Sequence, residues 1–138
     1  MFYPINPKPE QLIFWRVKAA ATVLKGQLVK EDTGAAPVAA GHEGASILGI
    51  ALEGGTEGEI IPIYPLFGTV CEVDFLTAGT KKTFIATDYG VAYDIAVSSG
   101  NQAVDPDDTT GAFCYVVGFN NEMNRVRVKI PAALCLLA

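Results

Sequence analysis

The hydrophobic pattern of the chain contains one small β unit twice. Its apolar segments are 28–34, 47–54 and 59–64 in the first copy, and 84–90, 115–121 and 125–131 in the second. Each copy has a strand, a turn and a long loop, then a strand with a central glycine, a polar turn and an alternating strand. Short apolar runs bounded by Gly, Asn and Asp are typical of strands. The pattern therefore predicts an all-β protein, built as a small β-barrel or β-sandwich with little helix.

Prolines divide the longest β-like segment, 59–75. Pro62 and Pro65 each remove a backbone donor, so part of this segment is expected to lie at a sheet edge or to change sheet. The stretch 33–46 is rich in Gly and Ala and is predicted to be a loop. Further along, the pattern predicts a hairpin of 83–87 with 91–97, a polar loop at 98–111 and a hairpin of 113–119 with 125–130.

The first fifteen residues differ from the rest. Pro4, Pro7 and Pro9 fix φ and favour an extended N-terminal arm, followed by a single β-rich domain over residues 16–138. A solvated tail rarely carries many large apolar side chains. The arm is therefore expected to pack against its own domain or against a neighbouring molecule, and the sequence leaves both open. The candidate partner-binding residues are Phe2, Tyr3, Ile5, Phe14 and Trp15.

Composition limits the classes of partner. Half of the residues are apolar and 18% are charged, yet no apolar run approaches the ~20 residues of a membrane-spanning helix. The net charge of −5 argues against nucleic acid, which attracts clustered Lys and Arg. The one basic stretch, 125–129, alternates Arg or Lys with Val, and this favours a solvated strand face. No membrane and no nucleic-acid partner is expected.

No reactive constellation is evident, so the chain is not expected to be an enzyme or to hold a metal or a cofactor. His42 is the only histidine and lies in a Gly-rich loop without an evident nucleophile. Asp105, Asp107 and Asp108 lack the spacing of an EF-hand and suit a turn. The three cysteines, Cys71, Cys114 and Cys135, have apolar neighbours and are expected to be buried free thiols. The N-terminus lacks the features of a secretory signal, which predicts synthesis in a reducing cytoplasm.

The order of motifs between Gly26 and Ile130 resembles the capsid decoration (cement) proteins of tailed bacteriophages, such as the family of the phage lambda head decoration protein. The segments that carry the resemblance are 26–30, 47–54, 59–70, 77–80 and 116–128. This resemblance implies a β-tulip-like fold and a homotrimer on the capsid exterior of the virion. It also implies a structural role, in which the protein binds the major capsid protein and stabilises the shell by clamping neighbouring subunits.

Two other functions are compatible with the residues. The first is a head-fibre subunit or a carbohydrate-binding surface module, in which an exposed aromatic side chain stacks on a sugar. Tyr89 and Tyr93 are the first candidates for that platform, and Tyr64 and Tyr115 are the second. The other is a small β-barrel enzyme that uses His42 and Asp105, for which the sequence indicates no substrate.

Overall fold

The computed structural model describes residues 1–137, which form strands and three single-turn 3₁₀ segments. The strands are β1 (Phe2–Pro4), β2 (Ile13–Arg16), β3 (Thr22–Val23), β4 (Leu28–Glu31), β5 (Ala35–Pro37), β6 (Ile47–Ala51), β7 (Gly55–Thr56), β8 (Ile60–Pro65), β9 (Val70–Asp74), β10 (Ala92–Tyr93), β11 (Ile95–Ser98), β12 (Asn101–Val104), β13 (Cys114–Asn120) and β14 (Arg125–Lys129). The 3₁₀ segments are Pro9–Gln11, Ala86–Asp88 and Ala132–Leu134. The prediction of an all-β protein with little helix is confirmed.

Ten strands build two five-stranded antiparallel sheets. The β14 sheet has the order β1–β9–β14–β13–β10, and the β6 sheet has the order β2–β8–β6–β4–β5. Two-stranded ribbons, β11 with β12 and β3 with β7, complete the fold. The pattern left a β-barrel and a β-sandwich open, and the described strands form separate sheets and not one closed barrel. The chain changes sheet after Pro65, where Gly68 adopts a φ of +79°, so one of the two effects predicted for the prolines is observed.

The main core lies between the two sheets. It includes Leu28 and Ile50 from the β6 sheet and Val73, Val126 and Val128 from the β14 sheet, all of them fully buried. The alternation of β14 directs its valines into this core. Its basic residues point to the opposite face, as the pattern predicted.

The β6 sheet also covers a second, smaller core on its other face. This core contains Val17, Val29, Leu48 and Ile63. The sheet curls around it, and Val17, just after β2, forms a parallel bridge with Ala35 of β5. Every residue of β6 is therefore buried, which explains why its sequence is continuously apolar.

The two copies of the repeated pattern correspond to the hairpins β6–β8 and β13–β14, one in each sheet. The first segment of the second copy differs from the pattern, because residues 86–88 form a 3₁₀ turn. Asp88 accepts hydrogen bonds there from the Ile85 amide, 2.7 Å away, and from the Tyr93 hydroxyl, 2.7 Å away. The predicted hairpin of 83–87 with 91–97 is therefore wrong.

The predicted loops at 33–46 and 98–111 each contain a strand. Residues 35–37 form β5, and residues 101–104 pair with β11 through a turn at Ser99 and Gly100, both at positive φ. One of the polar residues in the second stretch, Gln102, is fully buried. Its amide bonds the Leu28 backbone at 2.6 and 3.0 Å and the Val38 carbonyl at 2.9 Å, so it links the ribbon to the β6 sheet.

Residues 1–15 connect one edge of each sheet. β1 pairs with β9 at an edge of the β14 sheet, and β2 pairs with β8 at an edge of the β6 sheet. Of the two packing partners left open by the sequence, the structure shows the chain's own sheets. No helix within residues 1–137 is long and apolar enough to cross a membrane.

Candidate interaction surface

The five candidate partner-binding residues occupy different environments. Phe2 is 1% exposed and packs in the main core of its own chain, and its contact with a partner stays a prediction. Phe2 is buried because β1 pairs it with Val73 of β9. The Phe2 amide also donates to the Gly26 carbonyl, 2.8 Å away. Ile5 is half-buried just after β1. A partner contact through Ile5 stays a prediction.

Tyr3 belongs to a charged ladder on the outer face of the β14 sheet. Its hydroxyl donates to the Asp74 carboxylate, 2.9 Å away, and the Arg125 guanidinium lies 4.0 Å from its ring centroid. Burial, followed by the Asp74 carboxylate, raises the pKa of Tyr3. The residue is therefore engaged within the sheet, and contact with a partner stays a prediction for it.

Trp15 and Phe14 lie on opposite faces of β2, because successive residues of a strand alternate. Trp15 is half-buried against the second core, and its indole N–H donates to the Glu31 carboxylate. Phe14 is 66% exposed on the other face. The structure therefore separates these two aromatic neighbours, leaving Phe14 available to a partner.

Two residues of β8 share the face of Phe14. Phe14 lies opposite Pro62, and Ile60, 58% exposed, lies two residues before Pro62 on the same face. We call Phe14, Ile60 and Pro62 the edge strip. The sequence analysis missed Ile60 and Pro62 because all of 60–63 is apolar, and no alternation shows which residues are covered.

The backbone of β2 is open beside the edge strip. The Val17 amide donates to the carbonyl of Glu59, the residue just before β8, 2.8 Å away. Alternate residues of an antiparallel strand face the same neighbour, so the N–H and C=O of Phe14 point away from β8. β2 ends the strand order of its sheet within the described residues. Just past β2, the Lys18 amide on this same edge donates to the Ala35 carbonyl, 3.0 Å away, so the open part of the edge is the stretch around Phe14. An extended segment of another chain would find there both apolar contacts and free backbone groups.

The outer face of the β14 sheet is a second exposed surface, and it is largely charged. Arg125 Nη1 lies 3.3 Å from Glu72 Oε1, Arg125 Nε lies 3.4 Å from Asp74, and Arg127 Nε lies 3.5 Å from Glu72 Oε2. At one end of this face, a shallow apolar groove of about 500 Å³ includes Phe67 and Tyr115. Ion pairs thus occupy the centre of this face.

The candidate chemical residues have structural partners. His42 Nε2 lies 3.2 Å from the Gly44 carbonyl, and burial lowers the pKa of its ring. The Asp105 carboxylate accepts from the Asp107 amide, 3.0 Å away, as expected of a turn. The Asp107 carboxylate accepts from the amides of Thr80 and Lys81, each 2.8 Å away, and so links this turn to a distant segment. Within residues 1–137, no group of three or more metal-ligating side chains is arranged to hold an ion.

The three cysteines are buried and free, as predicted. Burial raises the pKa of the Cys71 thiol to about 12, and it also raises the pKa of Cys114 and Cys135. Because the thiolate is the reactive form, these side chains are inert core residues at neutral pH.

One partly buried ion pair was not predicted from the sequence. Lys81 Nζ lies 2.9 Å from Asp88, which also accepts from the Tyr93 hydroxyl. Burial alone would raise the pKa of Asp88, but the hydrogen bonds from Tyr93, Ile85 and Lys81 together lower it. This network fixes the turn before β10. The only sequence signal was an acidic residue in an otherwise apolar segment.

No family model and no curated protein matches the chain. Among solved structures, the chain is similar to the N base of the head fiber gp8.5 in bacteriophage phi29, with 17% sequence identity and a TM-score of 0.47. The match covers 88% of this chain and 96% of that chain. An identity and a TM-score this low carry no functional argument.

Proposed function

We propose that this protein is a structural virion protein that binds the outer surface of a phage capsid and clamps neighbouring capsid subunits. The observation that carries the proposal is the edge strip, where Phe14 and Ile60 lie exposed and Pro62 half-buried beside the open backbone of β2 at Phe14. Natural edge strands are usually protected by charge, proline or a covering segment. β2 reads Ile-Phe-Trp-Arg, and within it only Arg16 is charged.

The physical basis of attachment is apolar burial combined with strand addition. An aromatic side chain such as Phe14 buries roughly 150–250 Å² when fully covered, and apolar area contributes about 25 cal/mol per Å². Covering the edge strip therefore supplies a few kcal/mol for each copy. A homotrimer would present three such strips, and the linked contacts would convert a weak single interaction into durable attachment.

The capsid as partner is supported by the resemblance to capsid decoration proteins described above. The motifs that carry it lie largely in the hairpins β6–β8 and β13–β14. The major capsid protein is the proposed partner, and the capsid exterior is the proposed location after synthesis in the host cytoplasm. The protein acts through shape and apolar area in this account, with no bond-making step.

The test is cosedimentation with empty shells assembled from the major capsid protein of the same genome. Wild-type protein is expected to sediment with the shells, and Phe14→Asp and Ile60→Asp are expected to weaken binding at least tenfold, or about 1.4 kcal/mol. The matched control is Val97→Asp, which places the same charge at a position 43% exposed on β11. This control should bind as wild type does.

Two results would overturn the proposal. One is wild-type protein that stays in solution beside intact shells. The other is a Phe14→Asp variant that binds as tightly as the wild type. Light scattering supplies an independent measurement, in which a trimer is expected and a strict monomer counts against the linked attachment.

A further inference from the structure

A polar groove crosses the outer face of the β14 sheet, away from the edge strip. Its volume is about 530 Å³, within the range of small-molecule sites in proteins. The lining combines an exposed tyrosine, Tyr89, with the polar side chains of Glu72, Asn120, Arg125 and Arg127. We propose that this groove binds an acidic saccharide, with Tyr89 as the stacking platform and Arg127 as the partner of the sugar carboxylate.

The platform is rigid because it continues an aromatic stack from the core. Tyr89 stacks on Phe119 with ring centroids 5.5 Å apart and planes 26° apart. Phe119 in turn contacts Phe84, which is 1% exposed. Phe119 covers one face of the Tyr89 ring. The exposed part of Tyr89, which is 54% exposed, is therefore the other face and the edge of its ring. A flat, fixed aromatic face is what the apolar side of a sugar ring stacks on.

The backbone also holds the platform. Tyr89 ends the 3₁₀ turn Ala86–Asp88, and its amide donates to the Ala86 carbonyl, 3.4 Å away. The next residue, Gly90, has a φ of +80° and donates to the Val116 carbonyl, 2.8 Å away. The tyrosine is therefore attached to β13 on one side and to the Asp88 network on the other, so little ordering is needed on binding.

The groove has the charge to select an anion. Over this face, Arg125, Arg127 and Lys129 stand against Glu72 and Asp74, which leaves one positive charge in excess. This local excess of positive charge stands on a chain with a net charge of −5. Arg127 contacts Glu72 through Nε alone, at 3.5 Å, and its side chain is 56% exposed. Because a guanidinium has five donors, Arg127 retains donors for a carboxylate in bidentate geometry.

A glycine keeps the groove open. Gly118 lies opposite Arg127, next to the bulge at Val116–Gly118, so no side chain rises from the groove floor there. A Cβ at this position would lie 3.6 Å from the Arg127 Cβ, an ordinary contact, and its φ is not positive. A larger residue at Gly118 would therefore fill the groove without straining the backbone.

The site adds to the proposed function and does not depend on it. The edge strip lies on the β6 sheet and the groove on the β14 sheet, and no residue belongs to both. From the sequence, Tyr89 and Tyr93 are the first candidates for a sugar platform. The structure buries Tyr93, at 5% exposure, and exposes Tyr89.

The probes for the test are an oligomer of galacturonic acid and, as its neutral counterpart, a dextran oligomer. Isothermal titration calorimetry of the full chain is expected to show binding of the acidic oligomer that weakens with added salt. Tyr89→Ala and Gly118→Leu should each reduce the affinity at least tenfold, while Tyr89→Phe, which retains the stack, should remain within about threefold of wild type. Arg127→Gln should remove the preference for the acidic over the neutral oligomer.

The matched control is Tyr115→Ala, which removes another exposed tyrosine, 42% exposed, from the same sheet outside the groove. This control should bind as wild type does, and circular dichroism checks that every variant folds. The proposal is overturned if wild type binds neither oligomer, if it prefers dextran, or if Tyr115→Ala loses binding while Tyr89→Ala keeps it. The same variants should still bind shells, so failure here is distinct from failure at the edge strip.

Discussion

The hairpins β6–β8 and β13–β14 have a similar sequence pattern, yet the structure buries them differently. In β6, Leu48 faces the second core and Ile50 faces the main core, and both are 0% exposed. In β14, Val126 and Val128 face the main core, while Arg127 and its basic neighbours face solvent. The difference comes from what lies outside each sheet. The curled β6 sheet encloses a second core, whereas the outer face of the β14 sheet is left open.

This difference decides which kind of partner each sheet can take. The β14 sheet presents a broad polar face with fixed charges and an aromatic platform, which suits a small polar ligand. The β6 sheet has little free face left. It presents its edge, where β2 has open backbone groups and Phe14 and Ile60 are exposed, which suits an extended protein segment.

The largest expected effect tests the double burial of β6. Leu48→Ala and Ile50→Ala should each lower the free energy of unfolding by about 2–5 kcal/mol, because each removes atoms from a filled core. Arg127→Ala is the comparison in the other sheet. It should change the free energy of unfolding by less than about 0.5 kcal/mol, because its ion pair is exposed. Urea titration measures all three. If either β6 variant lowers the free energy of unfolding as little as Arg127→Ala does, the face of β6 that carries the substituted residue is not part of a core.

A smaller effect is expected from the ion pair beside the β14 sheet. Asp88→Asn should cost roughly 2 kcal/mol at neutral pH, because a buried carboxylate loses charged hydrogen bonds. The pKa of Asp88 is lowered in the folded state from its ordinary 3.8. Its stabilisation is therefore present above that ordinary value and is lost as pH falls through the folded value.

The pH dependence of unfolding separates this role from simple packing. Between pH about 6 and about 3, the stability difference between wild type and Asp88→Asn should shrink. At the basic end, the pKa of Tyr93 is raised to about 12 by burial and by Asp88, so its contribution persists below the ordinary 10 and is lost as pH rises toward 12. A difference that stays constant with acid would contradict a charged Asp88 in the fold.

The smallest effect concerns the edge of the β6 sheet. Phe14→Asp should leave the free energy of unfolding within about 0.5 kcal/mol of wild type, because a side chain that is 66% exposed contributes little to the core. Thermal and urea unfolding check this, with Phe2→Ala as the buried counterpart in β1. A loss of roughly 2 kcal/mol or more for Phe14→Asp would show that Phe14 supports its own domain.

Local pattern was sufficient to predict several features of the fold. The alternation of basic residues and valines in Arg125–Lys129 indicated a strand with one solvent-exposed face. The apolar runs separated by polar turns indicated the two hairpins. These features depend on neighbouring residues, which sequence displays directly. The burial of the three cysteines also followed from their apolar surroundings.

Features that depend on distant pairing could not be predicted. Phe2 and Phe14 both lie in a proline-rich apolar start, and their opposite exposure is set by pairing with β9 and β8. Gln102 appeared to be a loop residue because its amide partners, at Leu28 and Val38, lie more than sixty positions away in sequence. Tyr89 and Tyr93 were equal candidates in the sequence. Tyr93 lies on β10 and is buried with its hydroxyl on Asp88, whereas Tyr89 follows the 3₁₀ turn before β10 and stays exposed.

The central claim is that the open edge of β2 receives a protein partner, and amide hydrogen exchange tests it most directly. Exchange at residues 12–17 would be followed for the free protein and for protein bound to empty shells. The account predicts that the Phe14 amide exchanges rapidly in the free protein and becomes protected on the shell, while the Val17 amide, already bonded to Glu59, changes little. Tight binding with an unchanged Phe14 amide would contradict the account.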